Sequence, residues 1–177
     1  LSLHGDLEQG AYRHGGYRHF KVSDPKPRDI HKASVRDRVL HHAIYRILYP
    51  FFDRTFIPDA YSCRVGKGTH RAMDRFRAFA FRASQNHTRT CWVLKCDIRK
   101  FFASVDHRVL LRILETRIPN QDILSLLREV VQSFSTAPGK GLPLGNLTSQ
   151  LFCNIYLNEL DQFVKHKLKA RNYLRYG

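Results

Sequence analysis

Residues Val93–Asp106 read V-L-K-C-D-I-R-K-F-F-A-S-V-D, and the fold is decided by how this stretch is read. Val93 to Cys96 predicts a short buried strand with Lys95 as its polar member. That strand would deliver one carboxylate, Asp97, to its C-terminal end, with Phe101 and Phe102 following at once. Asp106 predicts the N-cap of an amphipathic helix, His107 to Arg117, with Val109, Leu110, Ile113 and Leu114 inward. The surroundings are basic: Arg54 to Lys100 holds eleven Lys or Arg, three Asp and no Glu. A carboxylate kept in such a field is explained by a metal ion or by an internal salt bridge.

The whole chain shares this bias. Thirty Lys and Arg face fifteen Asp and Glu, a formal net charge of +15 over 177 residues. Such an excess favours a polyanionic partner, nucleic acid or an anionic membrane face. With 43% hydrophobic residues the chain holds one sizeable packed domain or two small ones rather than a disordered tract. It carries no signal-peptide pattern and no 18-residue apolar run, which predicts a soluble cytoplasmic protein with no membrane partner. Cys63, Cys91, Cys96 and Cys153 match no zinc spacing and predict buried, reduced thiols. The start at Leu1, and the stop at Arg175-Tyr176-Gly177 straight after a predicted strand, read as a piece of a longer protein.

Upstream, the glycine-rich segment to Tyr17 predicts a loop, and His19 to Val22 a short strand. Residues 24–30, D-P-K-P-R-D-I, hold two prolines that keep the backbone extended. Lys26 and Arg28 alternate there, so both would point to one side and grip a phosphate chain. Ser34 predicts the N-cap of a helix with Val35, Val39, Ala43 and Ile47 as its buried stripe, widened by Leu40, Ile44 and Leu48. Pro50 would stop it. Tyr61 to His70, Y-S-C-R-V-G-K-G-T-H, is a flexible basic turn suited to a phosphate backbone, with Arg64 and Lys67 in it. Thr69 would cap a helix, His70 to Ser84, with Ala72, Phe76, Phe79 and Ala80 on one face and Arg71, Arg75 and Arg82 on the other. That arginine side suits a duplex, or is a solvated face.

Downstream, Thr90 to Cys96 is the predicted strand and Gln121 to Phe134 an amphipathic helix with Ile123, Leu126, Leu127, Val130 and Val131 inward. Residues 136–150, T-A-P-G-K-G-L-P-L-G-N-L-T-S-Q, predict a shaped loop or hairpin whose glycines permit close backbone approach to a ligand, with Lys140 between Gly139 and Gly141. Thr148 or Ser149 would cap a helix, Leu151 to Leu168, and Asn172 to Tyr176 predicts a last strand.

Three features together resemble one family: V-L-K-C-D-I-R-K-F-F-A-S-V-D-H, G-L-P-L-G-N-L-T-S-Q-L-F-C-N-I-Y-L-N-E-L-D, and the terminal Y-L-R-Y-G. D-P-K-P-R-D-I, S-V-R-D-R-V-L-H-H-A and S-C-R-V-G-K-G-T-H upstream resemble it too, so the likeness spans roughly residues 19 to 177. The family is the prokaryotic reverse transcriptases of the retron and group II intron type, and L-P-L-G-N-L-T-S-Q is most similar to those of diversity-generating retroelements. The resemblance implies an α+β right-hand polymerase, helices packed on an antiparallel sheet. Residues 1–90 would be fingers, with 1–18 a poorly defined lead-in. Residues 91–177 would be an incomplete palm, with 136–150 contributing partly to the fingers side and the thumb absent. It implies an RNA-directed DNA polymerase acting on an RNA template, a DNA or RNA primer and deoxynucleoside triphosphates, in a prokaryotic or phage-encoded setting. A basic accessory protein is a possible partner in a diversity-generating element.

By the same resemblance Asp97 is the first carboxylate for two Mg2+ ions, and the Ile98 carbonyl adds a second oxygen. Phe102, beside Phe101, is the gate beneath the incoming sugar, and Lys26 and Arg28 hold the triphosphate. Leu144 and Gly145 line the nucleotide, Leu144 standing where many relatives carry Gln, which implies looser discrimination. Arg64, Lys67, Arg71, Arg75, Lys140, Asn146, Ser149 and Gln150 are the expected nucleic-acid contacts. Tyr176 and Gly177 match the first half of Tyr-X-Asp-Asp. Two-metal phosphoryl transfer needs several carboxylates around two ions about 4 Å apart, so the 177-residue chain alone is expected to be inactive. Two other readings stand beside this one. A nuclease would need Asp, Glu or His clusters that do not occur at ligand spacing. A non-catalytic RNA-binding module of the maturase kind fits the charge equally well.

Overall fold

The computed structural model describes residues 3–23 and 26–177. In order the elements are α1 (Leu3–Glu8), β1 (Tyr17–Ser23), β2 (Pro27–Ala33), α2 (Val35–Asp53), α3 (Thr69–Ala83), the one-turn α4 (Phe101–Ser104), α5 (His107–Glu115), α6 (Gln121–Gln132) and α7 (Leu147–Gln162). A π-helical turn, Phe163–Lys167, follows α7. The chain is thus mixed α and β, with one two-stranded antiparallel sheet among the described residues. No helix among them is long and apolar enough to cross a membrane.

Two compact units form, and neither is continuous in sequence. The first joins the described residues up to Tyr49 with Lys100–Tyr156, and the second joins Pro50–Arg99 with Leu157–Gly177. A division at residue 90 does not describe this compactness.

In the first unit β1 and β2 pair without a bulge from Tyr17↔Ala33 to Ser23↔Pro27. Pro27 opens β2, the first-residue position at which a strand tolerates proline. Of the D-P-K-P-R stretch, Asp24 and Pro25 lie outside the described residues. The lead-in is not all loop, since Leu3–Glu8 is helical and Asp6 pairs with Arg36 at the start of α2.

The buried face of α2 differs from the periodic expectation. Val35, Val39 and Ile47 are exposed, at 69, 58 and 70%, while Asp37, Leu40, His41, Ile44, Leu48 and Phe52 are buried. Two polar groups turn the helix this way because the lead-in gives each of them a partner. Asp37 accepts from Tyr12 Oη at 2.8 Å, Ser34 Oγ at 2.6 Å and Gly15 N at 3.2 Å. Burial opposes its charge, yet these donors outweigh it and hold the carboxyl below the usual range. His41 Nε2 lies 3.2 Å from His14 Nε2, and His14 N donates to Glu129 at 2.9 Å on α6. Pro50 does not stop α2, which runs three residues beyond it.

The predicted N-cap Asp106 holds, the Thr69 cap of α3 does not form, and Asn120 caps α6 without having been expected to. Asp106 Oδ1 accepts from Arg108 N and Val109 N at 2.9 and 3.2 Å, and Asn120 Oδ1 accepts from Ile123 N at 2.9 Å. Leu110, Leu111, Leu114, Leu124, Leu127, Val130 and Val131 are buried, while Val109 and Ile123 face out. Helix α7 starts four residues earlier than expected. Thr148 and Ser149 are buried inside it at 1 and 2% exposure rather than capping it.

In the second unit three aspartates do the anchoring. Asp59 accepts from Arg75 Nε at 2.7 Å and Lys165 Nζ at 3.2 Å, and both cations lie over the Phe79 ring. Burial works against its charge, and these two donors still depress its pKa. Asp161, fully buried, holds Arg175 Nε at 3.0 and 2.9 Å and Tyr173 Oη at 2.6 Å. Asp53 takes Arg64 Nε at 2.7 Å. The last predicted strand is reduced to one bridge, Arg175 beside Ala60, with Arg175 N→Asp59 O and Tyr61 N→Arg175 O both 2.9 Å.

The strand expected at Thr90–Cys96 does not form. No backbone hydrogen bond joins residues 90–98 to a neighbour among the described residues, and Trp92 and Leu94 are 95 and 89% exposed. An apolar run becomes a central strand only where both edges find partners, and the described residues provide none. Cys63 and Cys96 are likewise exposed rather than buried.

Burial pushes the His41 imidazole down to about 4, helped by the nearby His14. The fold requires neutral His41, whereas the unfolded chain takes up a proton near pH 6.5. Its stabilisation is therefore complete above pH 6.5 and is lost as pH falls toward 4. Thermal unfolding between pH 6.5 and 5 should show stability falling by up to about 1.4 kcal/mol per pH unit, and His41→Gln should flatten that slope.

Candidate functional site

The functional candidates of the first unit gather where the glycine loop meets β2. Strand β1 takes one edge of β2, leaving the N–H and C=O groups of His31 and the N–H of Ala33 on the other. His31 N donates to Leu144 O at 2.9 Å. The Asn146 side chain completes the edge, with Nδ2 donating to His31 O at 2.7 Å and Oδ1 accepting from Ala33 N at 3.3 Å. Gly145 lies between, at φ +103°, and a Cβ there would stand 2.7 Å from Ile30 Cγ2. Both facts demand glycine at this position. Ile30 shares a face of β2 with Arg28, two residues away.

The other end of the loop is tied to the Phe101–Phe102 turn. Leu142 N donates to Phe102 O at 2.8 Å, Gly141 N to Val105 O at 2.9 Å and His107 N to Gly139 O at 2.9 Å. Thr136 Oγ1 donates to Ala103 O at 2.8 Å, and His107 Nε2 donates to Gly141 O at 2.6 Å. Lys100, at φ +52°, starts α4 and turns the chain into the two phenylalanines. Phe101 packs edge-on against Phe102 and against Tyr156, at 6.1 and 6.2 Å between centroids. The loop thus joins Phe102 to the strand bearing Arg28, with Leu144 and Gly145 in its span. Arg28 and Lys26 are exposed.

Asp97 and Ile98 belong to the second unit, in the exposed stretch without strand pairing. Asp97 makes no ion pair among the described residues, so an internal salt bridge does not account for it there. Among those residues no group of three His, Cys, Asp or Glu is placed to hold a metal. One carboxylate and one carbonyl fall short of the near-octahedral oxygen set that Mg2+ takes. The described residues alone do not fit the two-ion site.

The expected nucleic-acid contacts divide by exposure. Arg64 is spent inside the fold: besides Asp53 it donates to Ile57 O at 2.8 Å and Ala60 O at 2.9 Å. Arg75 is held by Asp59, and Lys67 Nζ donates to Pro58 O at 2.7 Å beside the Tyr61 ring. Asn146 and Ser149 are buried, so their side chains face the protein interior. Arg71, which donates to Gly66 O, and Lys140 remain exposed, and Gln150 is half-buried. Ile30 and His107 were missed by sequence reasoning. A loop glycine signals that a close neighbour exists without naming it.

Comparison with known proteins gives a coherent set. The sequence pattern of the family described as reverse transcriptase (RNA-dependent DNA polymerase) matches residues 21–176. Protein YkfC of Escherichia coli is 26% identical over 151 residues, 82% of this chain and 39% of YkfC. Group II intron-encoded protein LtrA of Lactococcus lactis is 23% identical over 150 residues, 81% of this chain and 24% of LtrA. Nuclear intron maturase 1, mitochondrial, of Arabidopsis thaliana is 26% identical over 92 residues, 52% of this chain and 12% of that protein. The chain therefore spans about two fifths of YkfC's length and about a quarter of LtrA's.

Gly145→Ala should destabilise the protein by roughly 1–3 kcal/mol, from the left-handed backbone and the contact with Ile30 together. In a double-mutant cycle with Ile30→Ala, chemical denaturation should show only the contact part recovered.

Proposed function

Because the chain belongs to the reverse transcriptase (RNA-dependent DNA polymerase) family, we propose that it forms the fingers and part of the palm of an enzyme that copies RNA into DNA. Its reaction would be template-directed transfer of deoxynucleotides to a primer 3′-hydroxyl. The observation that carries this reading is the glycine loop, bonded at one end to the Phe102 carbonyl and at the other to the β2 edge. That span assembles three things a nucleotide needs. Arg28, with Lys26, presents cations to the triphosphate, the Arg fork matching phosphate oxygens in pairs. The Phe102 ring sits beneath the sugar and clashes with a 2′-hydroxyl. Leu144 lies beside the base and sugar and offers no hydrogen bond, which loosens discrimination.

Mg2+ is the expected cofactor, and when bound it polarises the phosphoryl oxygens. Asp97 and the Ile98 carbonyl are this chain's own contribution to holding it. The exposed cations Arg71 and Lys140, together with Gln150, face the RNA template and the DNA or RNA primer. Surface charge suits these phosphates without reading sequence. Placement near the enzymes of diversity-generating retroelements, with a basic accessory protein as partner, rests on L-P-L-G-N-L-T-S-Q alone.

A second reading is a non-catalytic RNA-binding module. The net charge of +15 favours it equally, and one relative is named a maturase. Primer extension on an RNA template separates the two in the full-length protein that carries this chain. Asp97→Asn should abolish extension while leaving RNA binding within about twofold, since phosphate contacts dominate affinity. Phe102→Ala should admit ribonucleotides, and Leu144→Gln should lower the misincorporation rate. Extension unaffected by Asp97→Asn would remove the polymerase reading.

A further inference from the structure

Asn146 stands at a junction where one residue has two duties. Its backbone carbonyl begins α7, accepting from Gln150 N at 3.4 Å. The chain must therefore leave the edge of β2 at this residue and turn into the helix. Had the loop continued as a parallel strand beside β2, its next N–H and C=O would have met His31 O and Ala33 N. The Asn146 carboxamide fills both places, at 2.7 and 3.3 Å. With one donor and one acceptor at the spacing of a peptide unit, it continues the strand in side-chain form. The residue is 3% exposed and reaches no solvent-facing ligand.

We infer that Asn146 is a positioning residue for nucleotide selection: its carboxamide locks Leu144 and Gly145 in register with β2. This rests on the nucleotide-site reading above. The distance between the residue beside the base and the cation on the triphosphate is set by how far the loop can slide along β2. Gly145 permits close approach to Ile30 and cannot itself prevent sliding, because it has no side chain. The backbone bond from His31 to Leu144 is one point of attachment to β2, and the bonds at Gly141 and Leu142 tie the loop to the Phe102 turn instead, so a pivot about β2 stays open. Two further bonds from Asn146, one on each side of the same peptide edge, remove that pivot. A carboxylate at 146 would keep the acceptor for Ala33 and set an oxygen against the His31 carbonyl. Alanine would remove both bonds.

The test uses the full-length protein on an RNA template with a DNA primer, varying one deoxynucleoside triphosphate at a time. Asn146→Ala should raise the KM for the correct nucleotide by about tenfold, the equivalent of about 1.4 kcal/mol of lost binding. It should change kcat far less, and should alter the ratio of incorrect to correct insertion. Asn120→Ala, which removes the α6 cap outside the site, is the stability control. It should lower the thermal midpoint and leave KM and the insertion ratio unchanged. If Asn146→Ala yields no folded protein, Asn146→Asp is read in the same way. Should the Asn146 variants lose thermal stability with KM and the insertion ratio unmoved, Asn146 is only structural and the inference is overturned. Arg28→Ala separates the inference from its premise. If it raises KM while Asn146→Ala does not, the positioning role fails alone. If Arg28→Ala leaves KM unmoved, the nucleotide-site reading fails and takes the inference with it.

Discussion

A two-stranded sheet has two open edges, and the geometry of the candidate site follows from how one of them is closed. Backbone N–H and C=O groups held away from water must find partners. On β2 the inner edge is met by β1 and the outer edge by a loop that never becomes a strand. Leu144 supplies one carbonyl, and the Asn146 carboxamide supplies the rest. Everything nearby follows from that closure. Gly145 must be glycine because it passes against Ile30, and the loop's far end must reach back to the Phe102 carbonyl. An anonymous run of glycines and prolines thereby becomes a bracket between an aromatic turn and a basic strand.

The second unit is organised by charge rather than by sheet. In a chain with a large cationic excess, a few carboxylates organise the arginines around them. The buried Asp59 and Asp161 and the half-buried Asp53 each hold an arginine, and Asp59 holds Lys165 as well. Such buried pairs contribute modestly to net stability, because desolvation consumes most of the attraction. What they supply is definition. Arg175, bonded to Asp161 through its side chain and to residues 59 and 61 through its backbone, has one place in which all these bonds are made. Arg71 and Lys140, which hold no carboxylate among the described residues, stay at the surface, where a polyanion would meet them.

Much was legible in the sequence. The strand around His19 to Val22, the cap Asp106 with its helix, the helix from Gln121, and the family itself all come from local patterns or ordered motifs. Local chemistry suffices there: a carboxylate or amide at an N-cap needs only its own first turn. The stripe of α2 was misread because periodicity counts apolar residues, whereas Asp37 and His41 are drawn inward by Tyr12 and His14 more than twenty residues away. The strand at Val93–Cys96 was misread because hydrophobicity reports a wish to be buried, and burial also requires edges to pair with. Asn146 was assigned to the nucleic acid through the family resemblance, and a motif does not say which way a side chain points.

By itself, then, the sequence determined the chemistry on offer: a basic chain, a carboxylate before two phenylalanines, a loop that permits close approach, and the ordered motifs of one family. Only the tertiary structure decided which polar groups face outward and which are consumed in holding the fold. Arg64 and Asn146 went inward and Arg75 was tied to Asp59, while Arg71 and Lys140 stayed out. The physical reason is that a hydrogen-bonding side chain is defined by its partner. For each of these inward residues the partner lies on another stretch of chain, from eleven residues away for Arg64 to more than a hundred for Asn146.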